Sequence, residues 1–595
     1  MTAAIYDEQV TARARKALEA TLARGANSMW TAHAMMALAP DDATIVEIVR
    51  KGLEVDAVRP GENLKGGPFH IMPAALLLRR WADQLPDEAV SVIKEFMIRG
   101  IHERGNTENH WLMYYAGELL CAELWEEEPI WWNGLSPRAV QEEAKRWILG
   151  MIERTALHGH HEFDSPGYHM EHMAPLIGLV CHTRDEAFRH QVDQMLSLLV
   201  ADMALEFFRG SWAGGHSRQG YRQNTWSRVG PIQPLQYIYF GGLEFDPLLH
   251  CQGFAVPALA SNYRPPALFA DIAWGRNTAH VVKKTKAPRT IFRHVDRPAQ
   301  PVRKYTYMSR SFALGTTQVG LPGAPAGPID LVSWDLTWEG PKHQAKITCN
   351  HPYRHPGRFS AFLSDLPQSI GRSVSTGKPY LQYPDRLFGA SPHERLMQHE
   401  GTAIALYRIP PEDETPFINI FLPKGIAWNE RDGWLLGDTP DFYIALRPIG
   451  PYHWNSITEA NASSIMVSEG DLIDGWLLRV EGNDIGLILE AAEADDFATF
   501  CQQRLRADLD LSGWPRDRRV SVATVKGEKL EMTYDGEHKI DGQSIDYASY
   551  PLYEAPCVEA PLNTGKMKFQ HGEEKLKLDF GIDPQKPLLP MRVIG

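Results

Sequence analysis

Through most of the first half of the chain, apolar residues recur three and four positions apart, which predicts helices. The clearest are 8–23, an alanine-rich amphipathic stretch, and 71–84 with 86–99, a helix pair split by Pro86. Further helical periodicity covers 110–126, 137–154, 171–182, 186–208 and 231–240. The connections are rich in Gly, Pro and His, as at 159–167 and 210–220. Pro257, Pro265, Pro266, Pro298 and Pro301 then punctuate the chain. Beyond them the pattern becomes short β-type runs at 305–314, 402–408, 417–422, 442–446, 476–480 and 485–489. Asp535-Gly536, between 530–534 and 538–540, predicts a hairpin. The glycines of 320–327 read as a loop, since no GK[ST] follows to make a phosphate cradle.

Serial helix pairs without strands and without a clean repeat predict a ring of irregular pairs, an (α/α) toroid. Many short strands with Gly and Pro turns predict an antiparallel β-sandwich. The expected fold is therefore multidomain α+β. It places the toroid at 1–265, a linker at 266–302 and the sandwich at 303–595, and a chain of 595 residues is long enough for each part to bury its own core.

Composition narrows the function classes. A hydrophobic share of 44% with 23% charged residues is that of a globular protein, and no apolar run reaches membrane-spanning length. The first residues show no basic start followed by an apolar core. The expectation is a cytoplasmic protein as the sequence stands, or a periplasmic or secreted one if a leader has been removed. Cys121, Cys181, Cys251, Cys349, Cys501 and Cys557 lie far apart with no CxxC, which fits buried free thiols. A net charge of −13 argues against nucleic acid, and against any acidic polymer unless a local basic patch exists.

Three segments carry candidate chemistry. In 106–118, Asn106 or Thr107 can cap a helix whose first turn holds Glu108, Asn109 and His110. Its dipole and free N–H groups favour an anion there. His110, Tyr114 and Glu118 follow at spacings of four on one face, and the rest of the helix is apolar nearly all round. The structural alternative is a capped helix with a satisfied histidine. In 158–172, Ser165-Pro166 is a helix-start signature, which puts Tyr168 in the first turn and His172 one turn on. His169 and His172 could share a metal, but HExxH is absent. The alternative is a polar loop without metal. The third segment, 209–228, supplies the required basic patch. It holds Arg209, Arg218, Arg222 and Arg228, with no Asp or Glu from 207 to 243, interleaved with Trp212, Tyr221 and Trp226. Guanidinium forks recognise carboxylates, and aromatic faces stack on sugars. The alternative is a solvated loop packed on acidic neighbours.

Amide, imidazole, phenol and guanidinium groups suit β-elimination on a uronic acid. The sugar carboxylate is neutralised, a base removes the proton on the adjacent carbon, and an acid protonates the leaving oxygen. The Asn-His pair, the later Tyr-His segment and the Arg/Tyr loop resemble polysaccharide lyases with a toroid and a sandwich, of the alginate-lyase and heparinase II/III-like kind. The resemblance spans the architecture of nearly the whole chain through short motifs. It implies that Asn109 holds the substrate carboxylate with help from Arg218 or Arg222, and that His110 neutralises charge or acts as base. Tyr168 is the first choice for the proton-transferring phenol and Tyr221 the second, with His172 and His216 completing the site. Glu108, Tyr114, Trp212 and Trp226 join the substrate-binding set. Such families often add a β-domain histidine, for which His343, His351 and His355 all qualify. The implied partner is an acidic polysaccharide or oligosaccharide, with no nucleic acid or membrane. No cofactor is required, while a structural metal ion and a homo-oligomer are both compatible with the reading.

Two rivals stand beside it. A toroid glycoside hydrolase would pair carboxylates from among Glu108, Glu118, Glu162, Asp164 and Glu171. A non-catalytic glycan-binding protein would use the same aromatic and arginine surface without turnover.

Overall fold

A computed structural model of the chain describes residues 2–25, 28–57, 62–105, 107–217, 227–251, 253–275, 277–287, 301–318, 331–353, 391–457 and 475–591. Helices make up most of the chain as far as Trp274. From His280 onward the named strands pair antiparallel, so the fold is mixed, with N-terminal helices and C-terminal antiparallel sheets. No helix among the described residues is long and apolar enough to cross a membrane.

The helix Glu108–Leu124 is the centre of the helical half. Its sequence is apolar on every face, and burial follows: all but two of its residues are buried, and Pro68–Trp81, Pro137–His158 and His169–His182 pack around it. Thr107 caps it, its hydroxyl accepting from His110 N at 3.4 Å; Asn106 lies outside the described residues. The two ends of the helical half also meet. Arg264 pairs with Asp7 at 2.6 Å, and Arg13 donates to the Ile238 carbonyl at 2.8 Å.

Among the described residues, the largest sheet has twelve strands. It runs from Tyr452–Ser456 through Trp334–Trp338, Val302–Met308 and His280–Lys286 to Glu574–Asp579. A six-stranded sheet, from Glu394–His399 to Ala427–Arg431, shares a core with it. Leu314, Trp334, Leu336 and Ile347 of the large sheet pack with Leu396, Tyr407, Leu446 and Leu487 of the smaller one. Period-two alternation then sends Ile404, Leu406, Leu436 and Ile488 to the opposite face. There they meet the helix Phe497–Arg506 and a five-stranded sheet through Phe500, Val520 and Val522.

Two expectations change. The run 305–314 is the junction of two strands, Val302–Met308 and Phe312–Gln318. Ser309 turns the chain between them, its hydroxyl accepting from Ser311 N at 3.1 Å and Phe312 N at 3.0 Å. The stretch 266–302 is also structured wherever it is described. Leu268–Trp274 is a helix, and His280–Lys286 pairs along its whole length with Val302–Met308. Near the chain end, Tyr553–Ala555 returns to pair with His280–Lys286, and Tyr553, Phe569 and Leu578 enter the core of the helical half. The glycine loop 320–327 lies outside the described residues.

Candidate active site

All three chemical segments meet where the central helix begins. Asn109, in the first turn, is fully buried; its Nδ2 donates to Glu162 Oε2 at 2.7 Å, and its Oδ1 accepts from the Thr107 hydroxyl at 2.9 Å. The Glu162 carboxylate also lies 3.8 Å from His172 Nε2. A backbone bond from Ser217 N to Phe163 O, 2.9 Å, joins the third segment to the second. Trp212 packs edge-on against His169, with ring centroids 4.8 Å apart.

Local backbone explains how the second segment reaches this place. The helix Pro137–His158 ends at Gly159, whose φ of +88° is open to glycine at little cost. A Cβ there would come within 2.2 Å of the Thr285 carbonyl oxygen. Only glycine lets the chain cross the strand His280–Lys286 so closely before it delivers His160 and His161. Ser165 and Pro166 then form a turn rather than the helix start that the sequence predicts. The helix His169–His182 begins later with Tyr168 as its N-cap, and the Ser165 hydroxyl accepts from Tyr168 N at 2.9 Å.

The imidazoles are arranged with defined tautomers. His172 Nδ1 lies 3.1 Å from the Tyr168 carbonyl. A carbonyl can only accept, so Nδ1 carries a proton, and Nε2 is the nitrogen nearer Glu162. By the same reasoning, His169 donates from Nε2 to the Leu199 carbonyl at 2.9 Å, and His216 donates from Nδ1 to the Ser217 carbonyl at 2.8 Å. His160 stands against His161 and His172, with centroids at 4.7 and 4.6 Å. Burial, reinforced by His172, His161, His169 and Lys286, pushes His160 well below the ordinary histidine range. Burial and the Lys346 ammonium bring His216 down to about 3.

Directly beneath lies a network of opposite character. Asp164, Asp202 and Glu206 from the helical half meet Lys284, Lys286 and Lys304 from two adjacent strands, all fully buried. Lys284 reaches Glu206 at 2.9 Å and Asp202 at 3.4 Å. Lys286 reaches Asp202 at 2.5 Å and Asp164 at 3.3 Å, and Lys304 pairs with Asp164 and, at 2.7 Å, with Glu206. Burial alone would raise Asp164, but the three ammoniums hold it well below the usual carboxylate range. Burial likewise disfavours the charged lysines, yet the carboxylates hold Lys284 and Lys286 above their ordinary value. Nothing in the sequence marked this network except the alternation of Lys284 and Lys286, which places both on one face of a strand.

The predicted residues separate into groups. Asn109 and His172 come together with Glu162, and Tyr168 borders them, partly exposed at the start of its helix. His110 is partly exposed, edge-on to Phe69 at 4.9 Å, and Gly105 lies so close that a Cβ would be 2.6 Å from its Nδ1. Glu108 is buried beside Asn109 in the helix's first turn. Tyr114 lines a cleft of about 400 Å³ together with His102, Glu103, Arg104, Gly105, Trp132 and Asn133. Arg104, which the sequence reading missed, stacks there over Trp111, Tyr114 and Tyr115.

Trp212 departs from the sugar-stacking role expected of it. It is buried and donates to Glu206 at 3.2 Å, so its indole supports the ion network. Arg209 pairs with Glu339, and Arg228 donates to the carbonyls of Trp338, Phe208 and Arg209, so both tie the segment to the sheet. Arg218, Tyr221, Arg222 and Trp226 lie outside the described residues. Of the β-half histidines, His351 is buried between the Ser391 hydroxyl at 2.8 Å and the Thr415 carbonyl at 3.0 Å. His343 follows Lys342, whose carbonyl accepts from Arg228 N at 3.0 Å. His355 lies outside the described residues.

The same geometry weighs on the hydrolase rival. Three lysines hold Asp164 ionised well below the usual carboxylate range, which does not suit a proton-carrying acid, and Glu118 is paired with buried His102 at 2.7 Å. For a metal, two groupings place ligand atoms within 4.8 Å of one another among the described residues: His160 with His161 and His172, and His399 with Glu400 and Glu528. Of His169 and His172, which the sequence would allow to share a metal, His172 is in one of these groupings, while His169 turns its Nε2 to Leu199.

No family model matches the chain, and a search of curated proteins finds no match to it.

Proposed function

We propose that this chain is a polysaccharide lyase that cleaves a uronic-acid-containing polysaccharide or oligosaccharide by β-elimination. The observation that carries the reading is the meeting of Asn109, Glu162 and His172 beside Tyr168, at the mouth of a buried helix. Asn109 keeps a second amide hydrogen for a substrate carboxylate, and the helix N-terminus adds partial positive charge. Tyr168 in its phenolate form takes the proton from the carbon beside that carboxylate. The electron pair forms a double bond to the neighbouring carbon as the bond to the leaving oxygen breaks, and the Tyr168 phenol returns its proton to that oxygen. A cleft lined in part by Tyr114 of the same helix offers Arg104 and Trp132 as well, groups suited to an anionic sugar and its apolar face.

The helical half is read as an (α/α) toroid, which the meeting of its first and late helices supports. The sheets that share a core are read as a β-sandwich domain. The test is a screen of purified protein against polymers of mannuronate, guluronate, galacturonate, glucuronate and iduronate. The expected product is an unsaturated uronate that absorbs in the ultraviolet. New reducing ends without that absorbance would replace elimination with hydrolysis, and saturable binding without product would leave a glycan-binding protein.

A further inference from the structure

His160, His161 and His172 are all buried, and each offers a ring nitrogen within 4.8 Å of the others. We infer that these three side chains form a binding site for a transition-metal ion of the zinc class. It joins two consecutive loop residues to the first turn of the helix His169–His182, a combination that no short sequence motif encodes.

Three features of the surroundings support it. His160 is completely buried, and neither of its ring nitrogens has a hydrogen-bond partner among the described residues. Leaving a buried polar group bare is costly, and coordination would satisfy one of the two nitrogens. His172 is already held as a ligand would be. Its Nδ1–H goes to the Tyr168 carbonyl at 3.1 Å, so Nε2 is the nitrogen that would coordinate. Ligating histidines commonly anchor their other nitrogen in this way.

Charge also fits. Glu162 Oε2 lies 3.8 Å from His172 Nε2, close enough to offset a cation. Lys286, the ammonium that acts on His160, is neutralised by Asp202 and Asp164. An all-imidazole set favours zinc, cobalt, nickel or copper over magnesium or calcium, which take oxygen ligands. Three protein ligands leave a fourth position for water or a substrate oxygen, as in catalytic zinc sites.

The inference does not rest on the elimination reading, and its test uses no substrate. Full-length protein is stripped with a chelator, dialysed and titrated calorimetrically with zinc, then loaded with cobalt for absorption spectroscopy. One zinc per chain with sub-micromolar affinity is expected, with cobalt d–d bands of a four-coordinate site. X-ray absorption should show imidazole nitrogens at about 2.0–2.1 Å. His160→Ala and His172→Ala should each weaken binding about 100-fold or more. His399→Ala, in the other ligand grouping, should leave it unchanged. Folded wild-type protein that takes up neither metal overturns the site, as does binding that survives His160→Ala and is lost in His399→Ala. If His160→Ala does not fold, the wild-type absorption spectrum decides, and a shell of oxygen atoms alone refutes the assignment.

Discussion

Two polar clusters lie side by side in the interior, and they differ in how completely their members are satisfied. In the lysine–carboxylate network, three acids face three ammoniums, all buried, and charge balances within a few ångströms. Around Asn109 and Glu162 the groups are mostly neutral imidazoles, and His160 has both nitrogens bare while His216 has one. Glu162 and Asp164 are only two residues apart in sequence, yet they belong to different clusters. Opposite charges within a few ångströms bind this network to itself, so it joins the helical half to the sheet. His160 keeps bare ring nitrogens in a dry setting, which is costly for stability and useful if something binds.

Breaking the first cluster should give the largest effect. Lys304→Met removes the ammonium shared by Asp164 and Glu206 and leaves buried negative charge uncompensated. A loss of about 3–5 kcal/mol in unfolding free energy is expected from chemical denaturation. A loss below about 1 kcal/mol would mean that the network is not the joint between the halves.

Tyr168→Phe tests the second cluster. Turnover of a uronate polymer should fall about 10²–10⁴-fold, the usual contribution of one acid–base group, with the melting temperature almost unchanged. Near-wild-type turnover would remove Tyr168 from its proposed role.

Acid should separate the clusters without mutation. His216 is lowered to about 3 and His169 to about 4, from 6.5, chiefly by burial. Between those values and 6.5 the unfolded chain binds protons that the folded chain refuses. Stability is therefore full above 6.5 and declines as pH falls toward 4, by about 1.4 kcal/mol per pH unit for each such histidine. Melting temperatures of chelator-treated protein across this range provide the check. Asp164, held ionised well below the usual range, protonates only under stronger acid. A stability curve flat from pH 7 to 4 would contradict the neutral state assigned to these rings.

The smallest effect is expected at Arg209→Ala. Arg209 belongs to the same basic segment, but its pair with Glu339 is largely exposed, at 38% and 61%. Unfolding free energy should change by no more than about 1 kcal/mol. A larger change would show that this surface pair also helps to join the halves.

Much of the local structure could be read from the chain. The helix over 110–126 was visible because its apolar positions run all round, and the structure places it at Glu108–Leu124 in the middle of the helical half. The hairpin at Asp535-Gly536 was visible from its turn residues, and Leu530 indeed pairs with Ile540 and Met532 with His538. Pattern was a poorer guide where one run held two strands, as at 305–314, because a tight turn at Ser309 interrupts no alternation that a short window detects. It also misread 266–302, where proline density suggested a linker. The strand His280–Lys286 draws its stability from partners at Val302–Met308 and Tyr553–Ala555, hundreds of residues away in the second case.

Residue type and helix position, which are local properties, were enough to nominate Asn109, His110, Tyr168 and His172 as chemistry at helix mouths. Which polar groups meet is a long-range property. Only the packed chain brings Glu162 to Asn109, sets His160 and His161 against His172, and turns Trp212 inward toward Glu206. The physical reason is that periodicity encodes which face of an element is buried, whereas partners inside the core are chosen by the crossing of elements distant in sequence. Charge balance and unused lone pairs are properties of that crossing.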